Sequence, residues 1–96
     1  MLKLSQNRVS VIKALAHPTR IRIAEILSEK TSCVSELHLQ IGGDLSTVSK
    51  HLTIMREAGW VTCCKTGLHI HYSLACNCLD EFFRCIDSLS SPSDCC

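Results

Sequence analysis

The chain has 96 residues, 46% of them hydrophobic, which is enough for one packed core and too little for two; a core shared between two copies would add stability. No apolar run approaches the roughly 20 residues that cross a bilayer. Residues 1–8 lack the apolar run and small-residue cleavage site of a secretory signal, so a soluble, cytoplasmic chain with no membrane partner is expected.

Charge is nearly balanced at +1, but it is unevenly spread. Residues 1–30 carry six Lys or Arg against two Glu, and residues 76–96 carry one Arg against four acids, so any polyanion-facing surface belongs to the earlier part. Eight cysteines are the anomaly of the composition. In a reducing compartment they point to thiolate metal binding or redox sensing rather than to a disulfide framework.

Val9, Ile12, Leu15 and Ala16 recur at helical spacing and predict a first helix over 9–16, ending near His17-Pro18. Proline suits the first position of a new helix, whose stripe is read as Ile21, Ala24, Ile26 and Leu27, running toward Lys30. Thr31-Ser32 can cap a third helix with Val34, Leu37 and Ile41 inward, closed by Gly42-Gly43. Ser46 is read as the cap of a fourth, with Val48, Leu52 and Met55 on its buried face and Gly59 at its end. Two helices across a glycine turn make a helix-turn-helix pattern. From Val61 the period changes to two: a strand over 61–65, a turn at Gly67, then Ile70, Tyr72 and Leu74 alternating with His69, His71 and Ser73 predict a β-hairpin. Leu79, Phe82, Phe83, Ile86 and Leu89 define a last helix, stopped by Ser90-Ser91-Pro92. Its apolar edge is more than a small monomer needs, so these five residues are expected to form a dimer interface.

This order is mainly α with a β-hairpin wing, a winged helix-turn-helix in the sequence α-α-α-α-β-β-α. The expected organisation is one DNA-binding and dimerisation domain over 1–90, followed by a cysteine-bearing tail over 91–96. Ala16-His17-Pro18-Thr19-Arg20, Leu45-Ser46-Thr47-Val48-Ser49-Lys50-His51-Leu52, Ala58-Gly59-Trp60-Val61, Gly67 and Tyr72-Ser73-Leu74 together resemble the metal-responsive ArsR/SmtB repressor family over about residues 9 to 89. The resemblance implies a homodimer that represses genes by occupying palindromic double-stranded operators and releases them when an inducer binds. It agrees with the helical spacing, which leaves Ser46, Thr47, Lys50 and Ile54 on the face opposite the buried stripe. Carried over, the family pattern implies DNA contacts from Ser46, Thr47, Ser49 and Lys50, with Lys65 of the wing on the backbone. Leu45 departs from the polar residue relatives often have. His51 is expected to be a hydrogen-bonded, half-buried histidine rather than a base reader.

Arsenic sensors of the family carry Cys-Val-Cys-Asp-Leu at the third helix, whereas this chain reads Cys33-Val34-Ser35-Glu36-Leu37, one ligand short. Cys63 and Cys64 are neighbours on a strand and point to opposite faces. Cys76-Asn77-Cys78 stands where zinc sensors of the family resemble Asp-x-His at the start of the last helix. Their remaining ligands come from the end of the partner's last helix, which implies Cys95 or Cys96 here. The expected site is therefore Cys76 and Cys78 with Cys95 or Cys96, taking a soft ion: arsenite or antimonite if three thiolates bind, cadmium, lead or zinc if four do. A redox-sensing repressor of the same fold and a cysteine-rich metal-storage protein are the alternatives. Catalysis is not expected. Cys76-x-Cys78 has the wrong spacing for a thiol oxidoreductase, and the sequence has no phosphate loop, His-Glu-x-x-His motif or Ser/His/Asp arrangement.

Overall fold

The first helix, α1, spans Leu2–Leu15, longer at its start than the apolar spacing over 9–16 predicted. The structure, a computed structural model, describes residues 2–89, and side chains from residue 7 onward. After α1 the chain turns at Ala16-His17 into α2, Pro18–Glu29. Pro18 needs no amide partner at this position, and the His17 imidazole accepts the Thr19 amide at 3.1 Å, closing the helix start. The buried stripe of α2 is Ile23, Ala24, Ile26 and Leu27. Ile21, read as part of that stripe, instead faces a groove against the last helix.

Thr31-Ser32 does not cap the next helix. Ser32–Cys33 form a short strand, β1, paired antiparallel with a later strand, and α3 begins after it as Val34–Ile41. Cys33 takes the cap position. Its amide donates to the Glu36 carboxylate at 2.9 Å, one half of a capping box, and this bond above all holds the Glu36 carboxyl below its ordinary range. Leu37 is buried, with Val34 and Ile41 packed on the core as expected.

Helix α4 spans Leu45–Ala58 and follows the Gly42-Gly43 turn, where both residues hold positive φ. Its cap is Asp44, in extended conformation, so Ser46 lies inside the first turn rather than at the cap. Strands β2, Val61–Thr66, and β3, His69–Leu74, form the hairpin, with Val61 opposite Leu74 and Thr66 opposite His69. Gly67, at φ 63°, fills the first position of the two-residue turn, where a side chain would be strained. The sheet order is β1-β3-β2.

Helix α5, Leu79–Leu89, closes the described chain. Leu79 packs inside the protomer's own core with Ile23, Leu37, Leu52 and Met55, so it is withdrawn from the expected dimer interface. Phe82 and Phe83 are half-buried against that core, and Ile86 and Leu89 stand exposed. No described helix is long and apolar enough to cross a membrane.

Candidate nucleic-acid interface and thiol site

Helices α3 and α4, joined by their glycine turn, both pack on the core, α3 through Leu37 and α4 through the stripe Val48, Leu52 and Met55. Outside that stripe Ser46, Thr47, Ser49 and Lys50 are all exposed. The Asp44 side chain makes no capping bond, and its carbonyl accepts the Thr47 and Val48 amides at 3.1 and 3.2 Å. Lys65 is exposed on β2 opposite Ile70, near the far end of the hairpin.

Behind α4 lies a cluster that spacing alone did not reveal. The His17 and His51 rings sit 4.5 Å apart. Arg20 donates from Nε to His51 Nδ1 at 3.0 Å and from Nη1 to the Ala14 carbonyl at 3.3 Å. His51 is thus the hydrogen-bonded, half-buried histidine expected, and burial first, then His17 and Arg20, push its pKa below the ordinary value. The cluster ties α4 to the α1–α2 corner. Trp60 ties the wing to α1, donating from its indole nitrogen to the Val11 carbonyl at 2.7 Å.

The dimer candidates reach further than α5. Val9 is 50% and Ile12 is 54% exposed on α1, and Ile86 is 44% and Leu89 86% exposed on α5. Ile12 of α1, Ile21 of α2 and Phe82, Phe83 and Ile86 of α5 line an apolar groove of about 170 Å³.

Among the thiols, Cys76 and Cys78 meet. They lie between β3 and α5, their sulfurs 2.8 Å apart, and the Cys78 carbonyl accepts the Phe82 amide at 3.1 Å to begin α5. The Cys76 thiol raises the pKa of Cys78, by hydrogen bond first and by charge second. Cys76 borders a cleft of about 210 Å³ with Ser28, Thr31, Ser73, Asn77 and Asp80. Other cysteines are apart. Cys33 and Cys64 both pair with His71, from β1 and β2, so they lie two strand spacings, roughly 10 Å, from each other. Cys63 sits opposite Tyr72, on the other face from Cys64, as the strand alternation implied. Cys85 is exposed on α5. Among the described residues no three His, Cys, Asp or Glu side chains converge to hold a metal ion. Cys95 and Cys96 lie outside the described residues.

Residues 17–62, which run from the His17 cap through α4 to the start of the wing, match the family described as bacterial regulatory protein, arsR family. The arsenical resistance operon repressor of Escherichia coli K12 is 33% identical, over 80% of this chain and 73% of that protein. The chain belongs to the arsR family of bacterial regulatory proteins. The HTH-type transcriptional regulator Rv0081 of Mycobacterium tuberculosis is 39% identical over 75% of this chain, and the aligned part spans 64% of that relative's length. Its crystal structure superposes with a TM-score of 0.79 at 33% identity, covering 90% of this chain and 87% of that one. A homodimeric winged helix-turn-helix DNA-binding domain from Mycobacterium bovis superposes at 0.81 with 24% identity, covering 93% and 82%. The winged helix-turn-helix expected from the element order is therefore the fold of this arsR-family chain. Its named relatives are regulators of transcription, not enzymes.

Proposed function

We propose that this arsR-family chain is a cytoplasmic transcriptional repressor. It binds double-stranded operator DNA as a homodimer through Ser46, Thr47, Ser49, Lys50 and Lys65, within a single domain over 1–90. The observation that carries the reading is the exposed polar face of α4, which is set by three buried residues of the same helix. Small hydroxyls there reach base edges or phosphates, and Lys50 supplies charge. The dimer forms through Phe82, Phe83, Ile86 and Leu89 of α5, joined by Val9 and Ile12 of α1. Two α4 helices then meet half-sites about one turn, roughly 10 base pairs, apart. A gel shift on the chain's own upstream DNA tests this; no retarded band at low salt overturns it.

The signal is a soft metal or metalloid at Cys76 and Cys78. Cys95 or Cys96 of the partner subunit completes the set for ions that need three or four thiolates, over the tail 91–96: arsenite or antimonite with three, cadmium, lead or zinc with four. Binding across the two last helices shifts the spacing of the two α4 helices away from the operator, a coupling between distinct sites. A second reading, thiol oxidation in place of metal, is favoured by the close approach of Cys76 and Cys78 sulfurs. Mass spectrometry after mild oxidation, set against metal titration of DNA release, separates the two.

A further inference from the structure

The wing sheet has two faces, and only one of them belongs to the core. Val61, Tyr72 and Leu74 pack inward, whereas strand alternation turns Cys64 of β2 and His69 and His71 of β3 together to the outer face. Cys64 and His69 are exposed and His71 is half-buried. The His69 and His71 rings stand 6.4 Å apart, and among the described residues neither imidazole makes a hydrogen bond. Zinc–nitrogen bonds of about 2.0–2.1 Å hold two imidazoles on one tetrahedral ion with ring centres about 5 Å apart, so this pair closes on an ion with a shift of about 1 Å. Cys64 stands directly opposite His71 in the register, at the roughly 4.5–5.5 Å Cβ spacing of cross-strand partners. The Cys33 amide first, then the Cys33 side chain, Lys30 and His71, lower the Glu36 pKa, so the negative charge of that carboxylate also reaches the His71 ring.

We propose that His69, His71 and Cys64 form a metal site on the outer face of the wing, separate from Cys76 and Cys78, for a divalent cation of the class of zinc. The preformed part is the His-x-His pair. No third donor converges on it as the side chains stand, and rotation of the exposed Cys64 side chain to another staggered position supplies the third. Two imidazoles and one thiolate suit zinc or cobalt, while magnesium and calcium take oxygen ligands. As the ion binds, waters leave it and the Cys64 thiol proton passes to solvent. One metal–sulfur and two metal–nitrogen bonds form, and no electron moves. Water keeps the fourth position. Cys33 flanks His71 on its other side, but it caps α3 and lies about 10 Å from Cys64, so the two thiols do not share an ion. Strand β3 runs roughly 17 Å from His69 to Leu74, which keeps this site apart from the thiols that follow the strand. The bound ion ties β2 to β3 beside the Gly67 turn and next to Lys65, the residue proposed to contact DNA from the wing.

The test uses the full chain carrying Cys76→Ser/Cys78→Ser/Cys95→Ser/Cys96→Ser, which removes the thiols of the proposed signal site, with cobalt(II) as the probe and zinc as the competitor. One cobalt per chain should bind, with a thiolate-to-cobalt charge-transfer band and the d–d bands of a tetrahedral ion, and zinc should remove both. Adding Cys64→Ser should abolish the charge-transfer band. His69→Ala and His71→Ala should each weaken binding at least about tenfold, roughly 1.4 kcal/mol. Cys33→Ser should leave band and affinity unchanged. A charge-transfer band that survives Cys64→Ser, or that Cys33→Ser removes, overturns the proposal. On the unaltered chain, excess zinc should shift the imidazole NMR resonances of His69 and His71 and leave those of His17 and His51 in place. Unmoved His69 and His71 resonances overturn the proposal even where a cysteine variant fails to fold. Neither readout involves DNA, so failure here leaves the operator reading untouched, and failure of that reading leaves this site standing.

Discussion

The helix-turn-helix and the α5 corner are both amphipathic, yet they use their apolar faces differently. Three residues of α4, Val48, Leu52 and Met55, are sealed inside the protomer, so the helix cannot roll and its polar face has one orientation. Only Leu79 of α5 is sealed in the same way, and the helix continues outward through Phe82 and Phe83 to the exposed Ile86 and Leu89. A recognition surface needs the first kind of anchoring. A surface of the second kind leaves apolar side chains that a single protomer does not bury.

The largest effect that would break this comparison is at the anchor of α4. Leu52→Ala should destabilise the protein by about 2–5 kcal/mol through lost burial and a cavity, measured by urea unfolding. A change under about 1 kcal/mol would mean that α4 is not held as described. At the α5 corner, Ile86→Glu should instead leave a folded chain that sediments as a monomer. DNA affinity should fall by at least about a hundredfold, because two linked half-sites gain 10²–10⁴ over one. A folded, DNA-competent dimer would remove Ile86 from the seam. Phe82→Glu is the harsher version, since Phe82 also packs on Trp60 with ring centres 6.2 Å apart and its loss strains the core.

Smaller still, Lys50→Ala should weaken binding to all sequences alike and lower the slope of log affinity against log salt by about one for each chain. Unchanged slope and unchanged affinity would take Lys50 off the DNA. The smallest effect sharpens the link between α4 and the α1–α2 corner. His51 has a folded pKa below its ordinary value of about 6.5, so its contribution to stability is complete above that pH and is lost as pH falls toward the lowered value. The melting temperature should therefore drop between about pH 7 and about pH 5, and His51→Gln, which keeps an acceptor for Arg20, should reduce that drop. An identical pH profile in the variant would show that other groups carry it.

Element order was legible in the sequence wherever one helix or hairpin carried its own period. The stripe of α4 pointed to Ser46, Thr47 and Lys50 as its outer face, and the structure leaves those residues exposed. The Cys63 and Cys64 alternation and the half-buried His51 were legible for the same local reason. Even so, the cap of α4 was read two residues late, because Ser46 and Asp44 are both good capping residues and only the backbone conformation chooses between them.

What the sequence determined by itself, then, was the succession of amphipathic pieces and the family pattern written on them, since periodicity reports which residues share a face. It does not report what that face meets. Tertiary structure decided that Ser32–Cys33 would pair with the free edge of β3, that Leu79 would be core while Leu89 stays outside, and that Ile12 of α1 would share a groove with Phe82, Phe83 and Ile86 of α5. It also brought Cys76 against Cys78 and set His17 and Arg20 on His51. The longer-range of these arrangements join segments as much as 74 residues apart, from Ile12 to Ile86, and the shortest depends on the turn that leads from β3 into α5. Such contacts depend on the direction in which each element enters the fold, and hydrophobic spacing along one segment carries no information about that direction.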